Sequence, residues 1–210
     1  MSDLVVRPAV RGDLRPARDA AVAALRDDPA WTHVLPDAGE RRTALRALVG
    51  FSLADAGCSA RVAVAGTVVL GAAVWQPPGR YPVSTVRRLR GLPHLLPMTV
   101  GLGRRTRDVQ RLGSAIDAAF PSRPVRYLQV LGVAPAAQGR GIGSLLLDEQ
   151  LSRSDAAGEP VYLETGKPTN VGWYAARGFE PVAPGGALHP GGPPMWRMLR
   201  EPAGGTPTRS

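Results

Sequence analysis

The chain has 210 residues, of which 44% are hydrophobic and 20% charged. These values predict one globular domain that buries roughly 70% of its unfolded surface. The net charge is +9, and Lys167 is the only lysine among the 26 basic residues. Such an excess suits a multiply charged small anion as well as nucleic acid. The arginines between residues 87 and 111 lack the interleaved aromatic residues of a base-stacking surface, so we predict a solvated face and no nucleic-acid partner.

Cysteine content and hydropathy predict the compartment. Cys58 is the single cysteine, which excludes an internal disulfide and fits a reducing cytoplasm. No apolar run approaches the ~20 residues that cross a bilayer, and the first residues lack a signal-peptide pattern. We therefore predict a cytoplasmic protein with no membrane partner. No spacing of histidine, cysteine or carboxylate residues indicates a metal site.

The first half of the chain mixes helix and strand signals. Apolar residues at helical spacing follow a short N-terminal strand, and Asp28-Pro29 interrupts the helix. Two valine-rich runs that meet near Gly66 predict a hairpin. The predicted elements are a strand at 4–7, a helix at 12–26, a loop carrying Trp31, His33 and Pro36, a helix at 40–56, and strands at 61–66 and 67–76.

The second half contains a less regular stretch and then a clear strand–turn–helix. Residues 83–120 predict two or three short helices, separated by glycine and proline. Further predicted elements are strands at 125–133 and 160–165, helices at 139–154 and 169–177, and closing strands at 179–182 and 195–199. We expect a single domain at residues 1–200 and a disordered tail at 201–210.

The turn Gln138-Gly139-Arg140-Gly141-Ile142-Gly143 is the most informative segment. The first turn of a helix carries unpartnered N–H groups and partial positive charge, and glycines let a phosphate approach those donors. The spacing fits neither a Walker loop, which needs a lysine after the glycines, nor a Rossmann fingerprint, which needs a third glycine where Ser144 stands. The remaining alternative is a helix start whose glycines only allow close packing. We interpret the turn as a diphosphate cradle for coenzyme A.

The turn and the segments around it resemble the GNAT family of N-acetyltransferases. Leu131-Gly132-Val133, Pro135 and the glycine turn resemble the family's motif A. Val161-Tyr162-Leu163-Glu164-Thr165, Asn170, Tyr174 and Gly178-Phe179-Glu180 resemble its next strand and motif B. The Leu-Glu-Thr strand is similar to that of the puromycin N-acetyltransferase-like branch. The resemblance is close over residues 127–182, and before residue 120 it extends only to the order of elements.

The resemblance implies a fold and a coenzyme site. The expected fold is α/β (α+β), with a mixed, mostly antiparallel sheet of about seven strands and helices on both faces. Two parallel strands, 127–133 and 161–165, would splay apart around the pantetheine arm of acetyl-CoA. The implied diphosphate amides are those of Gln138, Gly139, Arg140, Gly141, Ile142 and Gly143. Leu131 and Val133 would pair with the pantetheine arm, and Asn170 would contact the coenzyme.

The resemblance also implies catalytic roles. Acetyl transfer needs a neutral amine, and an alkyl amine has a pKa of about 10.4, so a base or desolvation must assist. Tyr174 is the expected acid for the coenzyme thiolate, and otherwise a half-buried helix tyrosine. Glu164 is the candidate base, and otherwise a structural partner of an arginine. Several relatives carry a glutamate base where this chain has Tyr127. Trp31 and His33 are candidates for the acceptor pocket.

These features predict an acetyl-CoA-dependent N-acetyltransferase that acts on a primary amine of a small molecule, such as an antibiotic or metabolite, by direct attack in a ternary complex. Three alternatives remain open: a non-catalytic acyl-CoA sensor, a protein or peptide N-acetyltransferase, and a nucleic-acid-binding protein. We expect a monomer or homodimer that needs no metal.

Overall fold

The computed structural model describes residues 4–55, 57–182, 186–187 and 191–204. Within these ranges the chain forms eight strands and eight α-helices. The strands are β1 Leu4–Pro8, β2 Ser59–Ala65, β3 Val68–Gln76, β4 Arg126–Val133, β5 Val161–Thr165, β6 Glu180–Pro181, β7 Gly186–Ala187 and β8 Pro194–Arg200. The helices are α1 Leu14–Leu25, α2 Pro29–Val34, α3 Ala38–Ala54, α4 Thr85–Arg90, α5 Leu92–Leu102, α6 Thr106–Ala119, α7 Ile142–Ala156 and α8 Pro168–Ala175.

The strands form one mixed sheet in the order β1-β2-β3-β4-β5-β8-β6, and β7 pairs with β8. All neighbouring strands are antiparallel except β4 and β5. The parallel pair is short: only Arg126, Tyr127 and Leu128 of β4 have partners on β5. Beyond Leu128 the two strands separate, which confirms the predicted fold class and its splay.

Helices cover both faces of the sheet because successive strand residues point to opposite sides. Val62 and Val64 pack with α1 and α3 on one face, whereas Ala63 packs with α7 on the other. At Gly132 the approach of α1 is so close that an added Cβ would lie 2.6 Å from the Cα of Ala21. A third apolar cluster joins α3, α5 and α6 beside the sheet. No helix among the described residues is long and apolar enough to span a bilayer.

The structure corrects two local predictions. The expected loop around Trp31 and His33 is wrong, because residues 29–34 form α2. The Asp28 carboxylate accepts the Ala30 N–H at 3.0 Å, and Pro29 occupies the first turn, where its missing N–H costs nothing. The helix expected from residue 139 begins at Ile142, because Gly139 and Gly141 have φ of 74° and 76°.

At the C-terminal end the sheet has an eighth strand, β7, in a stretch expected to be a glycine- and proline-rich loop. In the expected tail, Glu201 forms an ion pair with Arg123, and the Ala203 N–H donates to Asp155 at 2.8 Å. Residues 205–210 of that tail lie outside the described residues, so the predicted disorder there stays a prediction.

Candidate functional site

The glycine turn connects β4 to α7 and leaves the start of that helix open. Gly141 is the N-cap residue, in a left-handed conformation, and no side chain caps the helix. The first N–H groups of an α-helix have no partner within the helix. A Cβ added at Gly139 or Gly141 would meet no described atom within 4 Å, so space remains beside these amides. The turn can therefore present several N–H donors to an anion.

Five of the six predicted residues in this turn line one large cavity: Gln138, Gly139, Gly141, Ile142 and Gly143. The exception is Arg140, which is exposed and does not line the cavity. Gln138 donates its side-chain Nε2–H to the Val133 carbonyl at 3.0 Å, which joins the turn to the end of β4. Ser144, a residue not predicted, also lines the cavity.

The gap between the parallel strands forms the middle of the cavity. Leu131 and Val133 of β4 line it, and neither has a partner on β5. A register shift in the β3–β4 pairing leaves Gln129 unpaired with β3. The side chain of Gln129 accepts a hydrogen bond from buried Gln76 at 3.0 Å, and Gln76 accepts one from Arg87 at 2.8 Å. Arg87 also pairs with Asp55, so a chain of polar contacts runs from the bulge to α4.

Tyr174 and Asn170 of α8 both face the cavity. The ring of Tyr174 packs edge-on against Trp173 and Phe179 and is 6% exposed. Burial raises the pKa of the Tyr174 phenol far above its ordinary value, although the nearby Arg177 cation opposes this shift. The phenol therefore carries its proton at neutral pH. Asn170 donates its side-chain N–H to Thr165 Oγ1 at 3.2 Å, which holds α8 to the end of β5.

Glu164 lies on β5 at the cavity wall, where it accepts a hydrogen bond from the Tyr127 hydroxyl at 2.7 Å. Burial raises the pKa of this carboxyl to about 7, although the hydrogen bond from Tyr127 lowers it. Its other oxygen, Oε1, is buried without a hydrogen-bond partner among the described residues. A carboxyl that titrates near neutrality suits proton transfer at physiological pH.

The two predicted acceptor-pocket residues are separated by the turn of α2. Trp31 lines the cavity, whereas His33 is exposed and lies outside its lining. Asp28, interpreted from the sequence only as a helix breaker, also lines the cavity. Its position at the N-cap of α2, directly before a proline, is the signal that could have placed it. Among the described residues, no cluster of three or more potential ligands is arranged to hold a metal.

The cavity as a whole measures about 1300 Å³ and is continuous. It runs from the glycine turn, through the gap between β4 and β5, to a region enclosed by α3, α5 and α6. Glu164, Tyr174, Asn170 and Trp31 all lie on its wall. One volume thus reaches the open helix start, both candidate proton-transfer groups and an apolar chamber.

Comparison with known proteins agrees with this geometry. Residues 106–181 match the model of the acetyltransferase (GNAT) domain. A protein from Corynebacterium glutamicum, described as histone acetyltransferase HPA2 and related acetyltransferase, aligns over 100% of both chains at 24% identity, with a TM-score of 0.70. The chain has the GNAT fold.

Two further solved structures with a similar fold have informative descriptions. A GNAT acetyltransferase from Brucella melitensis, solved in complex with acetyl-CoA, is 17% identical over 100% of this chain and 95% of that one, with a TM-score of 0.54. An agmatine N-acetyltransferase variant, solved without ligand, is 17% identical over 95% of this chain and 99% of that one, with a TM-score of 0.56. At these identities the likeness establishes the fold alone.

The sequence did not predict the hydrogen-bond partner of Tyr127. This tyrosine stands on β4 where the family resemblance led us to expect a glutamate, and its hydroxyl donates a hydrogen bond to Glu164 on the neighbouring strand. The register pairs Tyr127 with Tyr162, so Glu164 lies two residues farther along the parallel strand. A carboxylate is therefore present near this position, but β5 supplies it.

Proposed function

We propose that this chain is a GNAT-family N-acetyltransferase that transfers the acetyl group of acetyl-CoA to a primary amine of a small molecule. The observation that carries the proposal is the continuous cavity, because it joins an uncapped helix start to a carboxyl and a phenol suited to proton transfer. The domain match at residues 106–181 supports the same reaction class.

The coenzyme fits the turn on chemical grounds. The main-chain donors from Gly139 to Gly143 would bind its diphosphate, and a hydrogen bond to a charged group contributes roughly 1.5–3 kcal/mol. The predicted donor at Gln138 is already engaged, since its N–H donates to the Pro135 carbonyl at 3.3 Å. Exposed Arg140 would add charge at the rim of the site. The free edge of β4 at Leu131 and Val133 would pair with the pantetheine arm, and Asn170 would contact the arm from α8.

Glu164 would act as the general base. The amine would first lose its ammonium proton to solvent. As its nitrogen then forms a bond to the thioester carbonyl carbon, the Glu164 carboxylate would accept the second proton that the nitrogen loses. A pKa of about 7 leaves a useful fraction of carboxylate at neutral pH while retaining affinity for the proton. The Tyr127 hydroxyl would hold the carboxylate in one orientation.

Tyr174 would act as the general acid. When the carbon–sulfur bond breaks, the leaving thiolate needs a proton, and the raised pKa of Tyr174 keeps one available. The proton from the amine goes to Glu164 and that of Tyr174 goes to sulfur. Between turnovers, Glu164 therefore releases a proton to solvent and Tyr174 takes one up. Trp31 would contact the acceptor from inside the cavity, and exposed His33 would contact it only at the entrance.

The decisive experiment is an acetyl-CoA turnover screen of the purified chain against diverse amines, with aminonucleosides included, in parallel with calorimetric titration of acetyl-CoA. Coenzyme binding together with acetylation of a small amine supports the proposal. Binding without turnover on any amine would support the sensor alternative. Turnover confined to peptide N-termini or lysine side chains would support a protein acetyltransferase, and absence of binding would refute the coenzyme site.

The proposal also covers the branch of the family, the compartment and the oligomeric state. The Leu-Glu-Thr strand supports a place near the puromycin N-acetyltransferase-like branch, and the aminonucleosides of the screen test it directly. We further propose a cytoplasmic monomer or homodimer that binds neither nucleic acid nor membrane and uses no metal.

A further inference from the structure

The part of the cavity farthest from the glycine turn has walls of a distinct chemistry. Helices α3, α5 and α6 line it with apolar side chains and with a smaller number of uncharged polar ones, such as those of Thr106 and Gln110. The apolar side chains are Leu48, Phe51, Leu95, Met98, Leu112 and Ile116. Several of them belong to a cluster that packs against the buried Val34 and Leu35. We call this region, bounded by the cavity-lining residues of α3, α5 and α6, the helical chamber.

Charge is scarce in the helical chamber. Asp117 is the only ionisable side chain that α3, α5 and α6 contribute to the lining among the described residues, and its ion-pair partner Arg88 of α4 lines the cavity as well. Both of its oxygens are engaged, since Tyr81 donates to Oδ1 at 2.7 Å and Arg88 to Oδ2 at 2.6 Å. A ligand group with its own charge would lose water in this chamber without gaining a free counter-ion. The chamber therefore favours an uncharged, apolar group.

Gly113 provides an independent sign that the chamber accommodates a ligand group. It lies within α6, lines the cavity, and a Cβ built on it would meet no described neighbouring atom within 4 Å. Its φ is not positive, so the backbone conformation does not require glycine. Glycine is among the weakest helix formers. Neither packing nor backbone geometry requires glycine here, and a larger side chain at this position would extend into the open space beside the cavity lining.

We propose that the acceptor is a primary amine attached to a bulky apolar group, that this group fills the helical chamber, and that Gly113 sets its maximum size. The inference deepens the proposed acetyltransferase function and rests on it. The amine would lie near Glu164, and the apolar body would extend towards α5 and α6. A short polar amine or a polyamine would leave the chamber unfilled or place a second charge against apolar walls.

The test measures kcat/KM for n-alkylamines from propylamine to octylamine, which share nearly the same amine pKa, with agmatine and spermidine as charged comparators. Each methylene that enters the chamber should raise kcat/KM by up to about fourfold. The kcat/KM values of agmatine and spermidine, which carry additional positive charge, should be lower than that of propylamine. A flat series, or a preference for the charged amines, would overturn the inference.

The variant Gly113→Leu tests the size limit, and Ala118→Leu on the exposed side of the same helix is the matched control. In Gly113→Leu, kcat/KM should no longer increase with the chain length of the amine. Octylamine turnover should be at least tenfold lower than in the control variant, whereas the affinity for acetyl-CoA should be the same. Equal octylamine turnover by the two variants would refute the role of Gly113. If folded wild-type protein binds acetyl-CoA but consumes it with no amine, the proposed function fails first, and this inference fails with it.

Discussion

Near residues 138–144 the cavity presents main-chain groups of a turn and a helix start, whereas its opposite end is enclosed by side chains of α3, α5 and α6. The first end depends on backbone conformation, so two glycines with positive φ are essential there. The second end depends on the size and polarity of individual side chains. A main-chain site allows few replacements at the turn, but a side-chain wall can be altered residue by residue without changing the fold. Under the proposed function, the donor would thus be recognised by main-chain conformation and the acceptor by side-chain composition.

The largest expected effect is on the main-chain end. Gly141→Val should weaken acetyl-CoA binding at least ~100-fold, because a β-branched residue opposes the left-handed conformation that opens the helix. Calorimetric titration measures the dissociation constant. Gly158→Val is the matched control, since Gly158 has a φ of 66° at the other end of α7 and does not line the cavity. Both variants should lose about 1–2 kcal/mol of unfolding free energy. Equal coenzyme affinity of the two variants would contradict the main-chain site.

The next effect concerns chemistry between the two ends. Tyr174→Phe keeps the ring that packs on Trp173 and Phe179 but removes the proton donor. We expect kcat to fall ~100-fold or more, whereas the dissociation constant of acetyl-CoA should change by less than about threefold. Rapid-quench turnover and calorimetry measure the two quantities. Unchanged kcat would remove Tyr174 from the mechanism and leave it a packing role.

A smaller, pH-dependent effect concerns Glu164. Only its carboxylate can accept a proton, so kcat/KM should rise as the pH increases through about 7, the raised pKa of this group. Glu164→Gln should have a low kcat/KM at every pH and should lack this rising limb of the pH profile. Tyr127→Phe removes a hydrogen bond that lowers the pKa of Glu164, so the limb should move to higher pH. All variants are compared on one amine, so the pH dependence of its own ionisation is the same for each and cancels in the ratio of a variant to the wild type. The same limb in Glu164→Gln would assign the base elsewhere.

The smallest expected effect is on stability, and it distinguishes Gly132, which is needed for close packing, from Gly113, which borders open space. Gly132→Ala should lower the free energy of unfolding by ~1–3 kcal/mol, because its Cβ would collide with the main chain of α1. Gly113→Ala should instead raise it by up to ~1 kcal/mol, since its Cβ enters open space in a helix. Urea unfolding measures both. A loss of stability in Gly113→Ala would indicate that this glycine serves packing.

The contrast between the two ends also explains what the sequence could predict. The glycine turn, β4 and β5 are local features, so spacing and resemblance identified the splay and the order of elements around it. The hydrogen bond between Tyr127 and Glu164 joins residues on different strands, and no local pattern encodes it. Helix α2 was missed because Asp28-Pro29 ends one helix and begins the next. The helical chamber requires three helices to meet, so residues such as Gly113 gained meaning only in three dimensions.

The early end of the β4–β5 pairing has a consequence for the ligand-free protein. Past Leu128 the sheet contains two internal edges, each with main-chain groups that lack a strand partner across the gap. Exposed strand edges are places where a foreign extended chain can add and start aggregation. Here both edges lie inside the cavity, between cavity-lining residues of α1 on one face of the sheet and of α7 and α8 on the other. A foreign chain would have to enter this cavity to pair with them, so the surrounding helices protect these edges from unwanted β-sheet growth.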